Sequence, residues 1–136
     1  LLFLAAWGND TLAYCTGMLI GKHKMSPILS PNKSIEGLVG GIVGAAILGA
    51  LYGLYLNTYI RFSFNPVTMF PIVCGLGGAV SVIGDLAASA IKRDSGIKDY
   101  GTLIPGHGGI LDRFDSIIFI APVIYYLTVM ISGGAI

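Results

Sequence analysis

Seven acidic residues punctuate an otherwise apolar chain, and several have a spacing that suits chemistry. Asp85, Ser89 and Lys92 fall at i, i+4 and i+7, so in a helix they share one face. Asp112 and Asp115 lie three apart and share a face in the same way. Two carboxylates this close repel unless a cation sits between them. A hard cation such as Mg²⁺ takes carboxylate oxygens together with substrate phosphates. Lys92, Arg93, Lys98 and Arg113 crowd the same stretch. Carboxylates for a metal beside Lys and Arg for polyanions make up the composition that phosphoryl or nucleotidyl transfer needs. For any single residue, an interfacial salt bridge or a basic side chain reaching for headgroups is an equally good account.

Between these groups runs Tyr100–Gly109, which holds Pro105, Gly106, Gly108 and Gly109 just before a helix expected from about Ile110. Glycines ahead of a helix N-terminus leave backbone N–H groups open to an anion. No Walker loop occurs: Gly17 to Gly21-Lys22 has the wrong spacing for one. His107 could be a ligand, an acid–base group or a structural donor, and a lone histidine among glycines does not choose between them.

Composition dictates what positions these residues. Of 136 residues, 54% are hydrophobic and 11% charged, against about 25% charged in soluble domains. A net charge of +1 excludes nucleic-acid binding driven by overall charge. The chain therefore reads as an all-α integral membrane protein, seated in the lipid bilayer and binding no nucleic acid. Four stretches, roughly 1–20, 35–56, 67–91 and 110–131, suit helices of about 20 apolar residues. They form one catalytic region of about four transmembrane helices with cytoplasmic polar loops. Lys22, Lys24 and Lys33 lie in the first loop; Lys92, Arg93, Lys98 and Arg113 lie in or next to the third. The second holds Arg61. The positive-inside rule then places loops one and three in the cytoplasm. The apolar opening is not a signal peptide, because basic residues follow it and Asn9 and Asp10 interrupt it.

Gly37, Gly41, Ala45, Gly49 and Gly53 recur every four residues along the second span, a seam that lets helix backbones approach closely. Packing against a neighbouring span is the simpler reading, and a homodimer interface is the alternative. Pro66, Pro71 and several glycines break up the third span. Irregular backbone of this kind makes spans two and three interior elements rather than lipid-facing ones. Cys15 and Cys74 both sit in apolar runs and read as buried small hydrophobes.

The segment 89–115, SAIKRDSGIKDYGTLIPGHGGILDRFD, resembles the signature of the phosphatidate cytidylyltransferases (CDP-diacylglycerol synthases). Asn9-Asp10-Thr11-x-Ala13-Tyr14, Gly21-Lys22 and Ser30-Pro31-Asn32-Lys33-Ser34-x-Glu36-Gly37 are also similar to that family, so the likeness covers nearly the whole chain. It implies a C-terminal catalytic half that lacks N-terminal spans and is expected to be inactive alone. The implied reaction joins CTP and phosphatidic acid to give CDP-diacylglycerol and pyrophosphate, with Mg²⁺ as cofactor and a second cation as an open alternative. The implied place is the cell (inner) membrane, multi-pass, with the active site facing the cytoplasm.

By the same resemblance Asp85, Asp112 and Asp115 are metal-site candidates, and Lys92 and Arg93 join them as catalytic candidates. Ser89, Lys98, Asp99, His107, Gly108, Gly109, Arg113, Lys33, Asn9 and Asp10 are substrate-binding candidates. Lys22 and Glu36, in the first loop with Lys33, are further candidates for CTP or anionic headgroups. Two rival readings remain: a cytidylyltransferase for another lipid phosphate, and a cation-conducting transporter in which Asp10 and Asp85 bind the ion.

Overall fold

The computed structural model describes residues 1–26, 30–97 and 111–133, with the side chains at 26, 30–32, 111–113 and 115 excepted. One turn of π-helix, Leu4–Gly8, runs directly into α1, Asn9–Ile20. Strands β1 (Lys24–Ser26) and β2 (Ser30–Ser34) follow, then the long helices α2 (Ile35–Tyr59) and α3 (Pro66–Asp94), and finally α4 (Leu111–Ile131). The four expected helical stretches are present, their ends shifted by a few residues. By length and composition α2 and α3 can each cross a membrane, and α4 carries a shorter apolar stretch, Ser116–Ile131. To this helical frame the structure adds the antiparallel pair β1–β2. The composition of that segment predicts a polar loop, and the hairpin is a departure from it.

Local signals start and stop the helices. Ser34 caps α2 by accepting the Gly37 N–H at 3.0 Å, and Glu36 in the first turn complements the helix dipole. Asn65 caps α3 through the Val67 N–H at 3.0 Å, with Pro66 at the first helical position. At its far end α3 closes on Gly96, whose φ of +69° is open to glycine at little cost. There the Gly96 N–H reaches the Arg93 carbonyl and the Ile97 N–H reaches that of Lys92, which satisfies two end carbonyls and turns the chain.

Packing uses the glycine seam. The buried face of α2 is Gly37, Gly41, Ala45, Gly49 and Gly53. A Cβ on Gly37 would stand 2.7 Å from the Ala13 carbonyl oxygen, and one on Gly49 the same distance from that of Phe70. The first half of the seam thus lies on α1 and the second half on α3. Small-residue packing of this kind is intramolecular here, as the simpler reading expected. The other face of α2, including Val39, Val43, Ile47 and Leu51, is exposed among the described residues. The sequence predicts this span as an interior element rather than a lipid-facing one; among the described residues only its glycine face is covered.

Helix α3 is the central element. Met69, Phe70, Val73 and Cys74 form the core with Ala5, Ala6, Ile117, Ile120 and Ile124. Cys74 is buried as expected, whereas Cys15 is exposed, because it lies on the side of α1 turned away from α2 and α3. Helix α4 runs antiparallel beside α3: Ile124 faces Gly77 and Phe119 faces Gly84.

Candidate active site

Helices α1, α2 and α3 and the hairpin enclose a cavity of about 270 Å³. Its polar wall is Asn9 and Asp10 from the start of α1, Lys33 and Ser34 from β2, and Asp85 from α3. Tyr14, Met25, Leu38 and Val82 supply an apolar wall. Four candidates drawn from separate parts of the sequence, Asn9, Asp10, Lys33 and Asp85, therefore come together.

At the centre is an ion pair. Lys33 Nζ donates to Asp85 Oδ2 at 2.5 Å, with side chains 32% and 17% exposed. A lysine and an aspartate in such partial burial each need a counter-charge, and each supplies the other's. The hairpin that carries Lys33 is fastened at its base. Ile35 N–H donates to the His23 carbonyl at 2.9 Å. The Glu36 carboxylate accepts the His23 backbone N–H and lies 2.7 Å from the imidazole Nδ1. Glu36 therefore holds the hairpin to the first turn of α2 and does not line the cavity.

Asn9, in the wall of the same cavity, is fully buried. Its Nδ2 lies 3.4 Å from Asp10 Oδ1, while its Oδ1 has no hydrogen-bond partner. The amide sits in a cradle of two glycines: a Cβ on Gly41 would come within 2.7 Å of Oδ1, and one on Gly78 within 3.0 Å. The helix reaches Asn9 directly out of the wide π turn, a feature that recurs at functional sites.

Farther along α3, Asp85, Ser89 and Lys92 are all half-buried, in keeping with the shared face read from their spacing. Arg93 is exposed. The register of α4 places its first turns at the same level. Asp115, one turn before Phe119, stands level with the turn of α3 around Ala88, the turn that follows Asp85. Asp112 lies one turn closer to the C-terminus of α3. The side chains of Asp112, Arg113 and Asp115 lie outside the described residues, as do Lys98, Asp99, His107, Gly108 and Gly109. Among the described residues no three His, Cys, Asp or Glu side chains group closely enough to hold a metal ion.

The sequence reading missed Ser34, Tyr14, Met25, Leu38 and Val82 as cavity residues. Ser34 carried a signal, since a serine three residues before Gly37 with Glu36 between them marks a helix start. Tyr14 ends the family-like string that starts at Asn9, whereas Met25, Leu38 and Val82 carried no signal, because apolar residues are spread over all the helices and occur in β1 as well.

Comparison with known proteins bears on the same residues. The sequence model of the cytidylyltransferase family matches residues 1–131. The phosphatidate cytidylyltransferase of Staphylococcus saprophyticus is 41% identical over 129 residues, which is 95% of this chain and 48% of the relative. Those of Staphylococcus haemolyticus and Staphylococcus aureus are 40% and 42% identical over 127 residues, each covering 93% of this chain and 47% of the relative. The chain thus spans about half the length of the curated relatives it matches. With an all-helical frame, two membrane-length apolar helices and a family match over nearly its whole length, the chain belongs to the cytidylyltransferase family.

Proposed function

We propose that this chain forms the catalytic region of a membrane-embedded phosphatidate cytidylyltransferase, which joins CTP and phosphatidic acid to give CDP-diacylglycerol and pyrophosphate. The observation that carries the proposal is a cavity with an acid–lysine pair on one wall and an apolar surface on the other. A lipid phosphate presents the matching pair of chemistries, an anionic head and an acyl tail. A cation-conducting pathway fits less well, because the matched relatives are named phosphatidate cytidylyltransferases.

In the reaction a phosphate oxygen of phosphatidic acid attacks the α-phosphorus of CTP. The bond from that phosphorus to the bridging oxygen of the β-phosphate breaks, and pyrophosphate leaves. The attacking oxygen is already anionic at neutral pH, so the protein needs no nucleophile of its own. Its work is to hold two polyanions together and offset their repulsion. Lys33, Lys92, Arg93, Lys98 and Arg113 bind phosphate oxygens in this scheme. Ser89 donates to phosphate, Asn9 fixes the carboxylate of Asp10, and the Tyr100–Gly109 loop offers backbone N–H groups.

The carboxylates of Asp10 and Asp85 and the amide oxygen of Asn9 fit Mg²⁺, a cation that takes oxygen ligands, and Asp85 already accepts a cationic group. Asp85, Asp112 and Asp115 would hold it, and Asp10 lines the same cavity as Asp85. When bound, Mg²⁺ supplies positive charge to the phosphate oxygens.

The topology suits a cytoplasmic active site. The hairpin, the end of α3 and the start of α4 share one end of the molecule, with Lys22, Lys24, Lys33, Lys92 and Arg93, and Arg61 lies at the other. The charge bias then orients the basic end inward, in the inner membrane, where CTP is available. Phosphatidic acid enters sideways from the inner leaflet.

The test is pyrophosphate release from CTP and phosphatidate by the full-length protein, with and without Mg²⁺. Turnover should require Mg²⁺, and Asp85→Asn and Asp115→Asn should each abolish it while the protein still inserts in the membrane. Wild-type turnover in both variants would overturn the site assignment. Turnover on other lipid phosphates but not on phosphatidate would overturn the acceptor.

A further inference from the structure

The Lys33–Asp85 pair joins two groups that the proposed reaction needs apart, the carboxylate for a cation and the ammonium for phosphates. The residues come from β2 and from the body of α3, 52 positions apart in the chain, and meet in the cavity that also holds Asn9 and Asp10. The backbone at Lys33 is fixed, since the next residue caps α2 and the hairpin base is tied to Glu36. Its four-carbon stem is free to swing between partners within reach. An oxygen 2.5 Å from an ammonium cannot also coordinate a divalent ion, because two cations would share one short contact.

We infer that Lys33 is an exchangeable counter-ion for Asp85. It neutralises the carboxylate while the cavity holds no divalent cation. A divalent cation reaching Asp85 displaces the ammonium, which then turns to the anionic phosphates of the substrate. The inference rests on the reading of Asp85 as a cation ligand given above. No covalent bond changes; one positive group replaces another at the same oxygen, and the freed one meets a new anion. Cation and phosphate binding thereby favour each other through one side chain, and thermodynamic linkage makes the effect reciprocal. The competing account is a fixed salt bridge that pins the hairpin to α3 and keeps Lys33 in place in every state.

Mn²⁺ binding to the full-length protein without nucleotide, read from the electron paramagnetic resonance signal of free Mn²⁺, separates the two. Lys33→Gln should bind Mn²⁺ about tenfold more tightly, equivalent to about 1.4 kcal/mol. Lys24→Gln, which removes the same charge from the hairpin, should change affinity less than twofold, and Lys33→Arg should stay near wild type. In the wild-type protein, acylation of Lys33 by an amine reagent, followed by mass spectrometry, should rise several-fold when Mn²⁺ is added. That measurement needs no folded variant. Unchanged labelling, or unchanged Mn²⁺ affinity in Lys33→Gln while Asp85→Asn still abolishes binding, would overturn the exchange and leave the proposed function standing. Mn²⁺ binding unaffected by Asp85→Asn would overturn both the exchange and the reading of Asp85 as a cation ligand.

Discussion

Gly41 is the position where a single methyl group tests how the site is assembled. An alanine there would place its Cβ 2.7 Å from Asn9 Oδ1, 2.8 Å from the Asn9 carbonyl oxygen and 2.8 Å from the Ala13 Cβ. Real contacts of this kind are about 3.5–4.0 Å, so α1 must move off α2 by an appreciable part of an ångström. Overpacking costs about 1–3 kcal/mol. Replacing glycine by alanine inside a helix returns up to about 1 kcal/mol. The net expectation for Gly41→Ala is a loss of about 1–2 kcal/mol.

Gly75→Ala is the matched control. It lies in α3, where the new methyl would stand an ordinary 3.5 Å from Ala46 Cβ, so stability should hold or rise slightly. Thermal unfolding of the full-length protein in detergent measures the difference, and CTP turnover measures its effect on the site. Because Asn9 and Asp10 ride on the helix that is displaced, Gly41→Ala should also lose activity below its unfolding temperature. Equal unfolding temperatures for the two variants would refute the close approach of α1 and α2 and the argument built on it.

Ser34→Ala removes the oxygen that receives the Gly37 N–H and should cost about 1 kcal/mol in the same unfolding assay. Gly96→Ala forces a side chain into the left-handed region at φ +69° and should cost about 1 kcal/mol. Hydrogen exchange should show that loss at the end of α3, around Lys92 and Arg93, and not in the core at Val73.

How much could be read from the sequence depended on whether the signal was local. Asn65-Pro66 starts α3, Ser34 starts α2 and Gly96 ends α3, each through hydrogen bonds to residues a few positions away. The i, i+4, i+7 spacing of Asp85, Ser89 and Lys92 belongs to one helix, and their shared half-buried state follows from it. The exposure of Cys15 was not legible. In a soluble helix apolar periodicity marks the buried face, but here both faces are apolar and the pattern is mute. Small residues mark the buried face instead, which is why the seam on α2 was readable while the exposure of its opposite face, at Val39 and Val43, was not. The hairpin escaped because β1 is only three residues long and shows no alternation. Lys33 was recognised as a basic residue near the site, but pairing it with Asp85 needs the packing of three helices.

That packing gives the seam its meaning. A stripe of glycines on a membrane helix invites a dimer reading, yet each half of this stripe is already occupied within the chain. The half from Gly37 to Gly41 receives α1 at Ala13 and Asn9, and the half from Gly49 to Gly53 receives α3 at Phe70 and Pro66. Helices α1 and α3 make little contact with each other directly, so α2 sets their separation at the cavity. Gly78 on α3, like Gly41 on α2, closes on the Asn9 amide. The distance between Asp10 and Asp85, and so the space left for cations and phosphates between them, is fixed by hydrogen atoms standing where side chains would otherwise be. On this argument the glycine spacing is part of the site, although no glycine of the seam carries a reactive group.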